Sequence, residues 1–347
     1  MEYKEECPET MKSTVKKLIG ERAFNFLVLR YRYFRNVLAL MNNFIYDMRM
    51  FYKHSNVFTD KSFEKIEAKI ILNYHGIEKG FVHNRIRPRF AIKRVKNLIG
   101  ELEIVENNYC QSSQTQIAQK VLIDYYDYHC QQNISINDYF PEKTYEKYRS
   151  KNDIKEKAFI ERTKSEYFSD IDKSFDLFSN SRKSIRSFTN EKVPTEIIEE
   201  VVGLASNAPS VCNRQPSKTY FVNNKELVNK VLDIQGGLTG FQNEINQILV
   251  VTVDRNYFYT IGERNQFYID GGIYLLNLMY ALHHKKIGCC PANWGKTFDV
   301  DKKAQSMLKL KESEKIICVL AIGFLQDEIK YTLSKRRPLN EVLRVLE

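Results

Sequence analysis

The sequence predicts an α+β protein, with a mostly helical first half and a second half that contains both helices and strands. Apolar residues recur at helical spacing over residues 23–48 and again over residues 268–282. A continuous apolar run over residues 316–324 has the length of a strand that is buried on both faces of a sheet. The chain has 347 residues, 43% of them hydrophobic, which is the composition of a globular protein longer than one ordinary domain.

The first helical pattern, residues 23–48, carries Arg30, Arg32 and Arg35 in its middle. Arginines at this depth exclude a membrane-spanning helix. Two interpretations remain: the helix lies on an anionic membrane surface, or it packs on the rest of the protein or on a partner subunit, with the arginine stems covering apolar surface. We therefore expect no transmembrane segment and leave peripheral membrane contact open.

Further along the chain, helical patterns cover residues 117–128 and 145–168. Residues 150–173 are rich in charge and contain neither Gly nor Pro, so we expect a helical connector there and not a flexible linker. Residues 193–202 then predict a helix with Pro194 near its start, and residues 219–222 predict a strand.

Two polar blocks carry the strongest functional signal. Residues 181–188 bring together three cations and three hydroxyls, including Arg182, Lys183, Ser184 and Arg186. Such a set suits a phosphate, because guanidinium groups give forked donors and serine gives a short hydroxyl. About twenty residues later, residues 208–216 contain Pro209, Ser210, Asn213 and Gln215, and each of the two amide side chains offers both a donor and an acceptor.

In their order and spacing, the two blocks resemble those of the nitroreductase family of flavoproteins. The resemblance implies FMN as the cofactor, with the first block at its phosphate and the second at its ring or ribityl chain. It continues through the helix at residues 268–286, through a loop at residues 288–294 that reaches the flavin ring, and through a basic cluster at residues 335–337. The further cofactor-binding residues that it implies are Cys290, Pro291, Ala292, Asn293, Lys335 and Arg337. One departure is Ser217, which stands where the family usually has an aromatic residue.

The resemblance also implies the architecture and the activity. It predicts a nitroreductase-like FMN fold over residues 175–347, mainly an antiparallel sheet flanked by helices, after a helical extension over residues 1–174. It implies a homodimer with FMN between the subunits, and hydride transfer from NADH or NADPH through FMN to a small organic acceptor: a nitro compound, a quinone or a biosynthetic intermediate. The alternative is a flavin-fold scaffold that binds a partner without NAD(P)H turnover.

The extension has a resemblance of its own. Residues 70–80, followed by Arg89 and Phe90, resemble a region that accompanies some nitroreductase-like proteins encoded with polysaccharide-biosynthesis genes, with Ala91 in place of a Gly. His75 and Glu78 are three residues apart and would share a helix face. They form either an ionisable pair at a substrate site or a structural pair.

Several other chemistries are not expected. Cys289 and Cys290 are adjacent, without the spacer of a redox or metal motif, so we expect no metal site. We expect no catalytic nucleophile, interpret the pair His283 and His284 as a helix-end dipole feature, and interpret Asp270 as a helix N-cap.

Cellular setting and charge complete the sequence-based expectations. Seven irregularly spaced cysteines and a start without an apolar signal core favour a cytoplasmic protein with reduced thiols. The net charge of +10 is spread over both halves without a nucleic-acid motif, which indicates a site for small phosphates and not for nucleic acid.

Overall fold

The computed structural model describes residues 14, 16–54, 57–58 and 62–346. The chain divides into two compact units, and the second contains everything from residue 61 onward except residues 260–262. The first unit contains α1, Glu21–His54, which confirms the long helix predicted near the start. Within the described ranges, no helix has the length and apolar character needed to cross a membrane.

The second unit begins with helices that enclose their own apolar core. These are α2 (Phe63–Phe81), α3 (Ile92–Asn108), α4 (Ser113–Gln131) and α5 (Glu142–Arg149). Their buried faces meet through residues such as Ile70, Leu98 and Leu122. Ala91, at the N-cap of α3, has φ of 56°, the left-handed conformation that a glycine adopts without strain.

The expected helical connector over residues 150–173, and the helix predicted over residues 145–168, were wrong, because helix α5 ends at Arg149 and only one short helix follows within this range. Residues Phe159–Thr163 form β1, which pairs antiparallel with β6, Glu328–Thr332. The sequence Phe-Ile-Glu-Arg-Thr has β-branched and aromatic residues that suit a strand. The absence of Gly and Pro had favoured a helix, but pairing with a distant strand decides the conformation. The short helices α6 (Lys164–Tyr167) and α7 (Phe175–Ser181) follow.

A four-stranded antiparallel sheet forms the centre of the second half, in the order β2-β3-β5-β4. Its strands are β2 (Ser217–Val222), β3 (Gln247–Asp254), β4 (Gly288–Asn293) and β5 (Glu314–Gly323). Helices flank the sheet, so the predicted fold class, a mainly antiparallel sheet with a helical region before it, is confirmed.

Both faces of the sheet are buried, which explains the continuous apolar run in β5. On β3, Leu249 and Val251 face one core cluster, while Ile248 and Val250 face the other. The first face is covered by α8 (Thr195–Ala205) and the long helix α10 (Gln266–His284). The other core cluster includes residues from α9 (Lys225–Gln235) and α11 (Phe298–Met307), and α12 (Leu339–Val342) ends the chain's regular structure.

Two local predictions in this half were also wrong. The expected loop over residues 288–294 is mostly the edge strand β4, where Pro291 is tolerated because an edge strand has one side free of ladder hydrogen bonds. Asp270 is not an N-cap, because α10 begins earlier, at Gln266. Its carboxylate accepts hydrogen bonds from the Val211 amide at 3.2 Å and from Gln266 Nε2 at 2.9 Å.

Candidate functional site: a cationic cavity and its neighbours

The main cavity has a volume of about 450 Å³ and lies where five segments of the second unit meet. These are α2, the basic segment (residues 182–188) that follows α7, the turn after α9 at residues 235–238, strand β4, and residues 332–336 at the end of β6. The lining residues from the predicted cofactor site are Arg182, Lys183, Ser184, Arg186, Cys290, Pro291, Ala292, Asn293 and Lys335. Three predicted segments therefore meet in one cavity: residues 182–186, residues 290–293 and Lys335. The first and the last are about 150 residues apart in the sequence.

The basic segment is fixed to the sheet by its backbone and by two buried side chains. The Ile185 amide donates a hydrogen bond to the Cys289 carbonyl at 2.9 Å, and the Thr189 amide donates to the Phe324 carbonyl at 2.9 Å. The side chains of Ile185 and Phe188 are buried in the core. Anchoring on these apolar residues leaves their polar neighbours at the cavity wall.

The cavity wall is strongly positive. Among the described residues, six cations line it, and no Asp or Glu does; the cations are Lys79, Arg182, Lys183, Arg186, Lys335 and Arg336. Two guanidinium nitrogens, Nη1 of Arg182 and Nε of Arg186, are buried without a hydrogen-bond partner among the described residues. Buried donors of this kind are costly unless a ligand satisfies them.

The crowding of cations lowers the pKa of two lysines. Burial, and then the charge of Arg186, lowers the pKa of Lys79. Burial, and then the charges of Arg336 and Arg182, lowers the pKa of Lys183. Both lysines lie in a positive potential that a bound anion would relieve.

The two cysteines on β4 are buried and unreactive. Burial raises the pKa of Cys289 to about 12 and also raises the pKa of Cys290. A thiol in this state supplies little thiolate for nucleophilic or redox chemistry. The six described cysteines are free, and no cluster of metal-ligating side chains occurs within the described ranges.

The second polar block lies apart from the main cavity. Pro209, Ser210 and Gln215 line a separate pocket of about 140 Å³, together with Asp270 and Tyr274 from α10. The loop is tightly bent here: Asn213 and Gln215 have φ of 55° and 50°. Two hydrogen bonds lie within the loop: the Gln215 amide donates to Ser210 Oγ at 2.9 Å, and Gln215 Nε2 donates to Asn213 Oδ1 at 3.2 Å.

The C-terminal basic cluster is divided between two places. Lys335 and Arg336 line the main cavity, and Lys335 also pairs with Glu156 at 2.8 Å. Arg337 lies outside that cavity, with Nη2 2.5 Å from Glu67 Oε2 and Nη1 2.9 Å from Glu341 Oε2. Arg336 therefore occupies the cavity wall, a position that the sequence had not distinguished from those of its neighbours.

Helix α2 adds two cavity residues one turn apart. His75 and Lys79 both line the cavity, and His75 Nδ1 lies 3.0 Å from Oε2 of the fully buried Glu78. The spacing of His75 and Glu78 had indicated a shared helix face, but Lys79 had not been singled out. Lys79 could have been found from the sequence, because it is four residues from His75 and therefore lies on the same helix face.

Gln235 was missed by the sequence reasoning. It is buried at the end of α9, where its Nε2 donates to the Asn293 carbonyl at 3.0 Å and its Oε1 accepts from the Gly237 amide at 2.7 Å. These bonds fix the turn after α9 against β4. Only the Gln-Gly-Gly sequence, typical of a helix end, marked this place.

His283 is not the charged helix-end residue that the sequence had indicated. Its Nε2 lies 2.6 Å from Ser181 Oγ, next to the basic segment, and its Nδ1 is buried without a partner among the described residues. Burial, and then the charge of Arg182, lowers the pKa of His283 to about 4. The ring is therefore neutral near pH 7 and serves as a structural contact beside the cavity.

Comparison with known proteins finds similarity over about half of the chain. Iodotyrosine deiodinase from Hydra vulgaris is 24% identical over 200 residues, covering 49% of this chain and 71% of the relative. An FMN-dependent nitroreductase from Clostridium difficile R20291 is 19% identical, with 48% of this chain and 92% of the other covered and a TM-score of 0.39. A nitroreductase-like protein from Streptococcus mutans is 18% identical, with 50% and 98% covered and a TM-score of 0.43. Residues 180–239, which include both polar blocks, match the sequence model of the Nitroreductase family.

Proposed function

We propose that this protein is an FMN-dependent oxidoreductase that binds the FMN phosphate in the main cavity. The observation that carries the proposal is the pair of buried, unpartnered guanidinium nitrogens of Arg182 and Arg186 in a wall without carboxylates. A phosphate monoester, with a charge near −2 and three acceptor oxygens, supplies what these donors lack. The cavity volume of about 450 Å³ lies within the usual range for cofactor pockets.

The chain's own residues would bind and orient the cofactor. Arg182, Lys183 and Ser184 hold the phosphate, with Lys335 and Arg336 closing from the C-terminal side. Arg186 would give the phosphate a further donor, and the β4 residues 290–293 would face the remainder of the ligand. When bound, FMN would accept a hydride from NADH or NADPH and pass electrons to a small organic acceptor, so the chain needs no nucleophile of its own.

We further propose a homodimer in which each subunit completes the other's cofactor site. Pro209, Ser210, Asn213 and Gln215 carry the cofactor-binding signal, yet none of them lines the main cavity of their own chain. Helix α10, which borders their pocket, also exposes a row of large apolar residues: Tyr268, Ile269, Ile273 and Leu276, each at least 40% exposed. Such a row on one helix suits a subunit interface.

The remaining parts of the proposal rest on sequence alone. These are the division into residues 1–174 and 175–347, the role of Arg337 in holding phosphate, the cytoplasmic setting and the association with polysaccharide biosynthesis. In the structure, the guanidinium of Arg337 is paired with Glu67 and Glu341.

An absorbance spectrum of the purified protein tests the proposed function, with NADH and NADPH then added under anaerobic conditions. Flavin bands that bleach with one nicotinamide support the oxidoreductase and identify its reductant. Protein that stays colourless after incubation with FMN contradicts the proposal and favours a scaffold that binds a partner without turnover.

A further inference from the structure

Residues 33–54, the second part of α1, form an amphipathic segment with one wide apolar face. At about 100° of rotation per residue, most of its apolar side chains share an arc of roughly 160°. These side chains are Tyr33, Phe34, Val37, Leu38, Leu40, Met41, Phe44, Ile45, Met48, Phe51 and Tyr52. Every charged or amide side chain of the segment lies outside this arc, on the polar face.

The apolar face of the segment is exposed. None of the residues of α1 is buried, and all the side chains in the arc except Val37 are at least 38% exposed. Val57 and Phe58 extend the exposed apolar surface past the end of the helix, since the ring centroid of Phe58 lies 4.7 Å from that of Tyr52. A continuous exposed surface of this extent is typical of an interaction site.

The charges of α1 indicate what covers this face. The helix contains six Arg and Lys residues but only two Asp and Glu residues. Arg35, Arg49 and Lys53 lie on one side of the helix, next to an edge of the apolar arc, and Arg30 and Arg32 immediately precede the segment. Long basic side chains beside an apolar face reach the lipid headgroups when that face is inserted into a membrane.

An anionic lipid surface complements both the apolar face and the cations. The acyl chains accept the apolar side chains, and the headgroup phosphates neutralise the arginines and the lysine. A second copy of the same helix would bring a second excess of cations, so like charges would oppose that association. Because the polar face runs along the whole segment of about 33 Å, the helix suits the plane of the interface and not a spanning orientation.

We propose that the amphipathic segment of α1 binds an anionic membrane surface, lying in the interfacial plane with its apolar face toward the acyl chains. The inference goes beyond the proposed function and does not depend on FMN. It gives the first compact unit a role, which is to hold the protein at a lipid surface.

Co-sedimentation of the full-length protein with lipid vesicles tests the inference. The vesicles consist of phosphatidylcholine alone or with about 30% phosphatidylglycerol, in about 0.1 M salt. Phe44→Glu places a charge in the apolar arc, and Asn36→Glu, at an exposed position on the polar face, is the matched control. Both substitutions add one negative charge, so a difference between the two variants reports insertion of the apolar face and not the change in net charge.

A fluorescence measurement keeps the test independent of any folding defect in Phe44→Glu. Phe44→Trp retains an aromatic side chain in the arc, and Asn36→Trp places the same reporter on the polar face. The natural Trp294 is buried and contributes the same background to both variants. Anionic vesicles should shift the emission of Phe44→Trp to shorter wavelength and leave that of Asn36→Trp nearly unchanged.

We expect wild type to bind anionic vesicles roughly tenfold or more tightly than neutral ones, and Phe44→Glu to bind them roughly tenfold or more weakly than Asn36→Glu. No binding of wild type to anionic vesicles, equal binding to both kinds of vesicle, or equal binding by the two glutamate variants overturns the inference. Absence of vesicle binding together with a lower mass of Phe44→Glu than of Asn36→Glu in size-exclusion chromatography overturns it in favour of a second copy on this face.

Discussion

The side chain of Phe188 lies directly against the α-carbon of Gly323, so closely that a β-carbon on the glycine would fall 2.7 Å from Cβ of Phe188. Gly323 ends β5 and pairs with Gly288 of β4, whose β-carbon would in turn meet Leu325 at 2.1 Å. Phe188 ends the basic segment, so these glycines allow that segment to lie on the end of the sheet. The position of the cations proposed to bind phosphate thus depends on the absence of two side chains.

Gly323→Ala is expected to lower the free energy of unfolding by about 1–3 kcal/mol, because the new methyl group forces Phe188 to move. Urea denaturation measures the loss. Gly100→Ala is the control, since its β-carbon meets no atom within 4 Å and it lies inside helix α3. That variant should be neutral or stabilised by up to about 1 kcal/mol. Equal losses in the two variants would contradict the steric explanation.

Arg182→Met should weaken FMN binding by roughly 10- to 100-fold, the value of a charge-assisted hydrogen bond of about 1.5–3 kcal/mol. Fluorescence titration of the ligand-free protein with FMN measures the change. Lys302→Met removes the same charge from an exposed position on α11 and should leave FMN affinity unchanged. An equal effect of both variants would indicate that only the net charge of the protein matters.

Lys79→Met is expected to have opposite effects on stability and on binding. The pKa of Lys79 is lower in the fold than in the unfolded chain, so the folded protein binds fewer protons between these two pKa values. The charge of Lys79 therefore destabilises the ligand-free fold at any pH below the folded pKa. Stability rises as pH increases from the folded pKa to the unfolded one. Removing the charge should raise the melting temperature without FMN and reduce FMN affinity. Thermal unfolding with and without FMN measures both changes, and a variant that loses stability in both conditions would contradict this assignment.

His283 should make the protein sensitive to acid. Its pKa falls from 6.5 in the unfolded chain to about 4 in the fold, so the unfolded state binds more protons between these values and stability decreases as pH falls from about 6.5 to 4. The contribution is on the order of 3 kcal/mol. His283→Gln should flatten this part of the curve of unfolding free energy against pH. His284→Gln, at the neighbouring exposed position, should flatten it less, because the charge of His284 is only one of the causes that lower the pKa of His283.

Ile273→Glu on the exposed face of α10 is expected to convert a dimer into monomers, because it places a charge in the apolar row. Size-exclusion chromatography with light scattering measures the mass. Ile104→Glu changes an equally exposed isoleucine on α3 and should leave the dimer intact. FMN affinity should fall only in the monomeric variant, since the second polar block would then be missing from the site. A wild-type monomer that binds FMN tightly would contradict the shared site.

The sequence by itself determined the features that depend on local pattern. Apolar periodicity located α1 and α10, and the continuous apolar run located β5, because burial on one face or on two leaves a distinct spacing. The charge and hydroxyl content of residues 181–188 indicated a phosphate site, since that chemistry lies within a few consecutive residues.

Only the tertiary structure decided what depends on contacts between distant residues. Strand β1 exists because β6 pairs with it, and β4 is a strand because β5 supplies its hydrogen bonds, although local composition favoured a helix and a loop. Lys79 and Arg336 line one cavity wall although they are more than 250 residues apart in the sequence. Arg337, the next residue, lies outside this cavity because it forms ion pairs with Glu67 and Glu341. Local sequence cannot distinguish these neighbours, because their partners come from elsewhere in the fold.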